Sequence, residues 1–141
     1  MVNAHKVEGM LRNLRQYLSY LREIAQIPAA DLLKDPIKIG SARYYLQISI
    51  ETCLNLGNHI IASKNFRAPT DYRDVFTVLN ENGVLSDDFT LRLRQMAGLR
   101  NRLVHLYWEV DDALLFRFLQ NDLSDFDQFI YFIKNYLADE L

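Results

Sequence analysis

Arg100, His105 and Tyr107 fall within one short stretch, RNRLVHLYWE, residues 100–109. A guanidinium stays charged at any physiological pH, so it marks a place where an anion is met. An imidazole exchanges a proton near neutrality, and a phenol adds a further polar group. The usual hydrolase signatures are missing. No serine or cysteine nucleophile pairs with the histidine, and neither G-x-S-x-G nor a glycine-rich phosphate loop occurs. His5, His59 and His105 lack zinc-ligand spacing, so no metal and no cofactor is expected. The remaining toolkit suits RNA cleavage, in which the 2′-hydroxyl is the nucleophile and the protein supplies proton transfer and charge stabilisation. A histidine beside an arginine is also a common structural pair, and residue types alone leave that reading open.

The stretch continues an amphipathic helix, FTLRLRQMAGL. At about 100° per residue with Phe89 as origin, Leu93, Met96, Leu103 and Val104 fall within about 60° and form the buried stripe. Arg100 at about 20° and Tyr107 at about 0° stand in that stripe, whereas Asn101 and His105 fall near 120° and 160°. Arg100 and His105 then diverge by about 140° on one ideal helix and cannot hold one small ligand together. Two arrangements resolve this. The helix ends or bends after Val104, or the motif meets its copy across a two-fold axis.

The other elements also read as helices, with apolar residues at i, i+3, i+4 and i+7 and almost no strand signal. A first helix is expected from about Asn3 to Gln26, and AADLLK after Pro28 as a short turn. Asp35 and Pro36 open a second long helix. A short helix, DYRDVFTVLNEN, stops at Gly83. Ser86 caps the helix that carries the motif, and a last helix starts at Asp111 or Asp112. The expected fold is an all-α antiparallel bundle of about five helices, in one domain spanning 1–141.

Half of the 141 residues are hydrophobic and 24% are charged, which excludes a disordered chain. The net charge of −2 argues against a nucleic-acid coat protein. Its distribution is uneven: Arg92, Arg94, Arg100 and Arg102 lie between Phe89 and Trp108 without one acidic residue, while 109–141 is strongly acidic. The single cysteine, Cys53, permits no intrachain disulfide. No hydrophobic signal core or membrane-spanning run is found, so a cytoplasmic protein without membrane contact is expected. Arg43, Gln47, Glu51, Asn55 and His59 recur every four residues as a polar ridge, readable as a cleft wall or as a solvated face. Trp108 is expected to pack at the end of the bundle, stacking on a base being the other reading.

RNRLVHLYW fits the R-x4-H-x-Y pattern of the HEPN domain, and MAGLRNRLVHLYWEVDD resembles the HepT-type ribonuclease toxins of HEPN/MNT toxin–antitoxin pairs. ARYYLQISIETCLNLGNHIIA and PTDYRDVFTVLNENGVL are similar to the family's second helix and following short helix, so the resemblance covers roughly residues 35–120. It implies a homodimeric HEPN bundle whose two motifs face each other across a cleft. Arg100 and His105 would be the catalytic pair of a metal-independent endoribonuclease acting on RNA, supported by Asn101 and Tyr107, with Glu51, Asn55 and Arg102 as cleft wall. The implied partner is a minimal nucleotidyltransferase (MNT) antitoxin, with Tyr107 as a residue it modifies with AMP. Relatives often carry an acidic residue one turn after the Glu51 position; Asn55 stands there instead, which puts an acidic role at that place in doubt.

Two other functions fit the same residues. The cleft could hold nucleotide or RNA without catalysis, as a binding subunit for the nucleotidyltransferase, or the bundle could only scaffold a partner. An intact His105 favours the enzyme, because a phosphate clamp has little need of a titrating group.

Overall fold

The computed structural model describes residues 1–141 and is helical throughout, with no strand. The order is α1 (Ala4–Ala25), α2 (Ala29–Leu32), α3 (Pro36–Ser63), α4 (Tyr72–Glu81), α5 (Asp87–His105), a 3-10 turn (Tyr107–Glu109), α6 (Asp112–Asn121) and α7 (Ser124–Tyr136). The starts follow the local chemistry. Asn3, Asp35, Asp71, Ser86 and Asp111 each accept a backbone N–H of the first turn that follows, filling a donor the helix cannot satisfy itself. Gly83 takes φ 77° just past α4, a conformation that costs a glycine little.

The segment expected as one last helix is two. Asn121 and Asp122, residue types that favour helix ends over helix interiors, stand at the interruption. The break turns α7 so that buried Asp125 reaches Arg92 of α5 at 2.7 Å.

Helix α1 runs antiparallel to α3: the Asn3 amide donates to His59 Nε2 at 3.2 Å, and towards the other end Tyr17 stacks on Tyr45 while Tyr20 meets it at a tilt. Helices α4 and α5 are likewise antiparallel and pack beside α3. Leu11, Leu14, Leu18, Leu46, Ile50, Phe76, Phe126 and Phe129 are fully buried in one continuous apolar core. Each contributes about 1.5–3 kcal/mol relative to exposure. Cys53 is buried there too, and burial pushes its thiol pKa up, so it is inert packing. No helix is long and apolar enough to cross a membrane.

The α3–α4 contact depends on a missing side chain. A Cβ at Gly57 would stand 2.7 Å from Val75 Cγ1 and 3.1 Å from Leu79 Cδ1, while one at Gly40, on the same helix, meets nothing within 4 Å. Gly57→Leu is therefore expected to lower stability by about 1–3 kcal/mol through overpacking. Gly40→Ala should raise it by up to about 1 kcal/mol. Urea midpoints of the two variants check both signs.

Candidate active site

Helix α5 stops at His105. Leu106 still donates its N–H to Arg102 O at 2.9 Å, but its φ −135° and ψ 45° leave the helical path. The chain that follows is pinned from two sides. Arg43 of α3 donates to the Tyr107 carbonyl at 3.4 Å, to the Val110 carbonyl and to Asp112 at 3.0 Å, and Arg102 donates to the Glu109 carbonyl at 3.0 Å. Of the two arrangements open from sequence, an end to the helix is the one present within a single chain. Its effect is to take Tyr107 out of the buried stripe and leave the residue 63% exposed.

Arg100 remains in the stripe, with only 13% of its side chain exposed. Its anion is Glu51: Nε and Nη2 both donate to Oε1, at 3.0 and 2.8 Å. Nη1 donates to Asn101 Oδ1 at 3.1 Å, and the Tyr72 ring lies 4.6 Å from the guanidinium carbon. No hydrogen bond joins the Arg100 and His105 side chains within one chain. A recess of about 180 Å³ opens beside the guanidinium, lined by Glu51, Leu54, Asn55, Asn58, Tyr72 and Arg100.

His105 is exposed, and its ring makes no hydrogen bond to the protein. Nothing fixes a tautomer or blocks either nitrogen, so the ring is open to a ligand's hydroxyl. Chemically, the end of α5 offers a guanidinium with a displaceable carboxylate partner, a carboxamide, an unengaged imidazole and an accessible phenol.

The polar ridge divides along α3. A row of every fourth residue advances about 40° per step round a 3.6-residue helix, so its two ends face different neighbours. Arg43 holds the turn after the motif, Glu51 and Asn55 line the recess, and His59 caps the start of α1. Glu51 and Asn55 thus lie together beside Arg100. Arg102 is not part of that recess and lines a separate, larger cleft between α5 and α6 with Met96, Leu99 and Phe118. Trp108 is also placed differently from expectation. It is 67% exposed and meets Tyr107 edge to face with ring centroids 5.3 Å apart, because the 3-10 turn carries both rings outward.

The chain matches the family model described as Ribonuclease HepT-like over residues 14–133. It belongs to the HepT-like ribonuclease family. This HepT-like chain is 37% identical over 89 residues to the mRNA nuclease HepT of Shewanella oneidensis, covering 63% of this chain and 67% of that protein. It is 24% identical over 132 residues to the tRNA nuclease HepT of Aphanizomenon flos-aquae, covering 93% and 89%. Among solved structures, the tri-AMPylated Shewanella oneidensis HEPN toxin in complex with MNT antitoxin superposes with a TM-score of 0.85 at 27% identity, over 92% of this chain and 96% of that one.

Two residues of this HepT-like site were not singled out by the motif. Tyr72 opens α4 and reaches Arg100 only because α4 packs against α5. Arg43 was visible as a ridge member, but its task of anchoring the Tyr107 carbonyl follows from where α5 ends.

Proposed function

We propose that this chain is the toxin of a HEPN/MNT toxin–antitoxin pair and acts as a metal-independent endoribonuclease, with residues 1–141 forming one HEPN unit. The observation that carries the reading is Arg100: a guanidinium held at a recess by Glu51, Asn101 and Tyr72, on the same helix end as an imidazole that no protein group engages. An RNA phosphate displaces Glu51 as the counter-ion of Arg100. The His105 imidazole takes the proton of the 2′-hydroxyl, whose oxygen forms a bond to phosphorus while the bond to the 5′-oxygen breaks. Arg100 stabilises the charge on the phosphorane, and the products are a 2′,3′-cyclic phosphate and a 5′-hydroxyl.

A homodimer completes the site. Ile37 is 80% exposed and Tyr44 54%, and both fall within about 40° of Glu51 around α3. A second copy that covers this apolar strip brings its own motif to the same cleft, where its imidazole, when protonated, supplies the leaving 5′-oxygen with a proton. The relatives named as nucleases of mRNA and tRNA support RNA as substrate, and the structure of a HEPN toxin with MNT antitoxin supports a nucleotidyltransferase as the neutralising partner.

Expression in a bacterial host tests this reading. The chain alone should arrest growth, co-expression of the cognate nucleotidyltransferase should restore it, and His105→Ala should be harmless at equal protein level. Arrest that persisted with His105→Ala would favour a binding subunit over an enzyme.

A further inference from the structure

Most arginines around the site are already neutralised. Between residues 43 and 102, Arg43, Arg67, Arg92, Arg100 and Arg102 each meet a carboxylate. Arg73 and Arg94 do not, and the packing of α4 on α5 brings these two together. Arg94 Nη1 donates to the neutral hydroxyl of Thr77 at 2.6 Å. Arg73, one turn before Thr77, lies against the backbone of Gly98, one turn after Arg94. A Cβ at Gly98 would stand 2.5 Å from Arg73 Nη2 and 3.2 Å from its Cζ. A glycine inside a helix is unfavourable in itself, and here its bare backbone gives the guanidinium a seat. Arg73 and Arg94 thus cross the α4–α5 contact at seats one helical turn apart, each fixed by a neutral group and neither paired with a carboxylate.

Their position is in line with the proposed chemistry. Arg94, Gly98, Asn101 and His105 follow one another at spacings of four, three and four on a single face of α5, about 16 Å from end to end. At the join, consecutive residues of α4 serve both parts: the Tyr72 ring lies 4.6 Å from the Arg100 guanidinium, and Arg73 covers Gly98. Of the carboxylates near in sequence, Asp74 and Glu81 are engaged by Arg67, Asp87 by Asn80 and Asp71 by the first turn of α4, and Asp88 pairs with neither arginine. A lone anion would need one such charge, whereas two unpaired guanidinium groups beside the face that carries His105 match a polymer with a charge at each step.

We propose that Arg73 and Arg94 form a phosphate track for single-stranded RNA, which holds nucleotides on one side of the scissile bond and guides the strand along α5 to Arg100 and His105. The proposal rests on the ribonuclease reading. The track binds backbone and not base edges, so it adds affinity without sequence preference. Each contact releases counterions from the RNA, which makes its contribution visible in salt dependence.

The test uses the full chain as its natural oligomer and a fluorescein-labelled 2′-O-methyl RNA, which lacks the nucleophilic hydroxyl and cannot be cut. Binding is followed by anisotropy at several salt concentrations. Arg73→Gln and Arg94→Gln should each lower the slope of log affinity against log salt by about 0.7, and the double variant by about 1.4. Arg73→Lys should recover most of the slope. Arg15→Gln on α1, which removes an equal charge away from α4 and α5, should leave it at the wild-type value. Wild-type slope and affinity in the double variant would overturn the track while leaving cleavage at Arg100 and His105 standing. An equal loss from Arg15→Gln would reduce the effect to net charge and overturn it as well. Double-variant protein that binds RNA normally but no longer binds the nucleotidyltransferase would reassign the pair to a protein interface. If the wild type neither binds nor cuts RNA, the ribonuclease reading falls, and the track with it.

Discussion

His105→Ala is expected to lower the rate of RNA cleavage by about two to four orders of magnitude. The ring has no structural duty to confound the result, being exposed and free of hydrogen bonds to the protein. Its loss should therefore leave the melting temperature and the oligomeric state unchanged. Arg100→Ala should cost about two to three orders of magnitude in rate, as the removal of a charge partner of the transition state does. It should differ from His105→Ala in one respect. Glu51 would lose the guanidinium that balances its half-buried carboxylate, and an uncompensated charge there destabilises the fold. Arg100→Ala with Glu51→Gln separates the two effects: stability should return and activity should not. Purified variants assayed on one RNA in single-turnover conditions give the rates, and thermal melts give the stabilities. If His105→Ala kept wild-type cleavage, the imidazole would have no part in the chemistry.

The second large effect concerns Tyr107. The residue is 63% exposed, its backbone is tied to Arg43, and it stands two residues past His105. A partner enzyme can reach such a phenol without unfolding anything. Attachment of AMP through the phenolic oxygen adds a phosphate charge and a nucleoside at the end of α5, where it would compete for Arg100, the group proposed to receive the RNA backbone. Because the added phosphate is tethered, it competes at an effective concentration that free RNA does not easily match. Trp108, edge to face with Tyr107, offers a further aromatic surface next to the added adenine. Incubation with the nucleotidyltransferase and ATP should thus abolish cleavage by the wild type. Tyr107→Phe should retain cleavage after the same treatment. Mass spectrometry should find AMP on the wild type and none at position 107 of the variant. Full inhibition with an unmodified Tyr107 would leave occlusion by the bound partner as the mechanism.

The helix starts were legible because each rests on a side chain within three residues of the backbone group it serves, as with Asn3, Asp35, Ser86 and Asp111. The break at Asn121–Asp122 was harder to see. The apolar periodicity runs through it, and the carboxylate pair with Arg92 that the break serves joins residues 33 apart in the chain. At the site, the motif exposed Arg100, Asn101, His105 and Tyr107, and the four-residue repeat exposed Glu51. That Glu51 is the anion of Arg100 was not legible, since the two lie on different helices and only their packing decides the match. Tyr72 and the unpaired Arg73 stayed hidden for the same reason. Trp108 went astray because its outward direction follows from the 3-10 turn, and no capping residue announces that turn.

The proposed chemistry is tested most directly by cleavage of a defined RNA in excess EDTA, with the chemical ends of the products determined. Metal-independent attack by the 2′-hydroxyl predicts undiminished cleavage that leaves 2′,3′-cyclic phosphate and 5′-hydroxyl ends, and none of it with His105→Ala. Cleavage that stops in EDTA and returns with a divalent cation, or that leaves 5′-phosphate and 3′-hydroxyl ends, would contradict it.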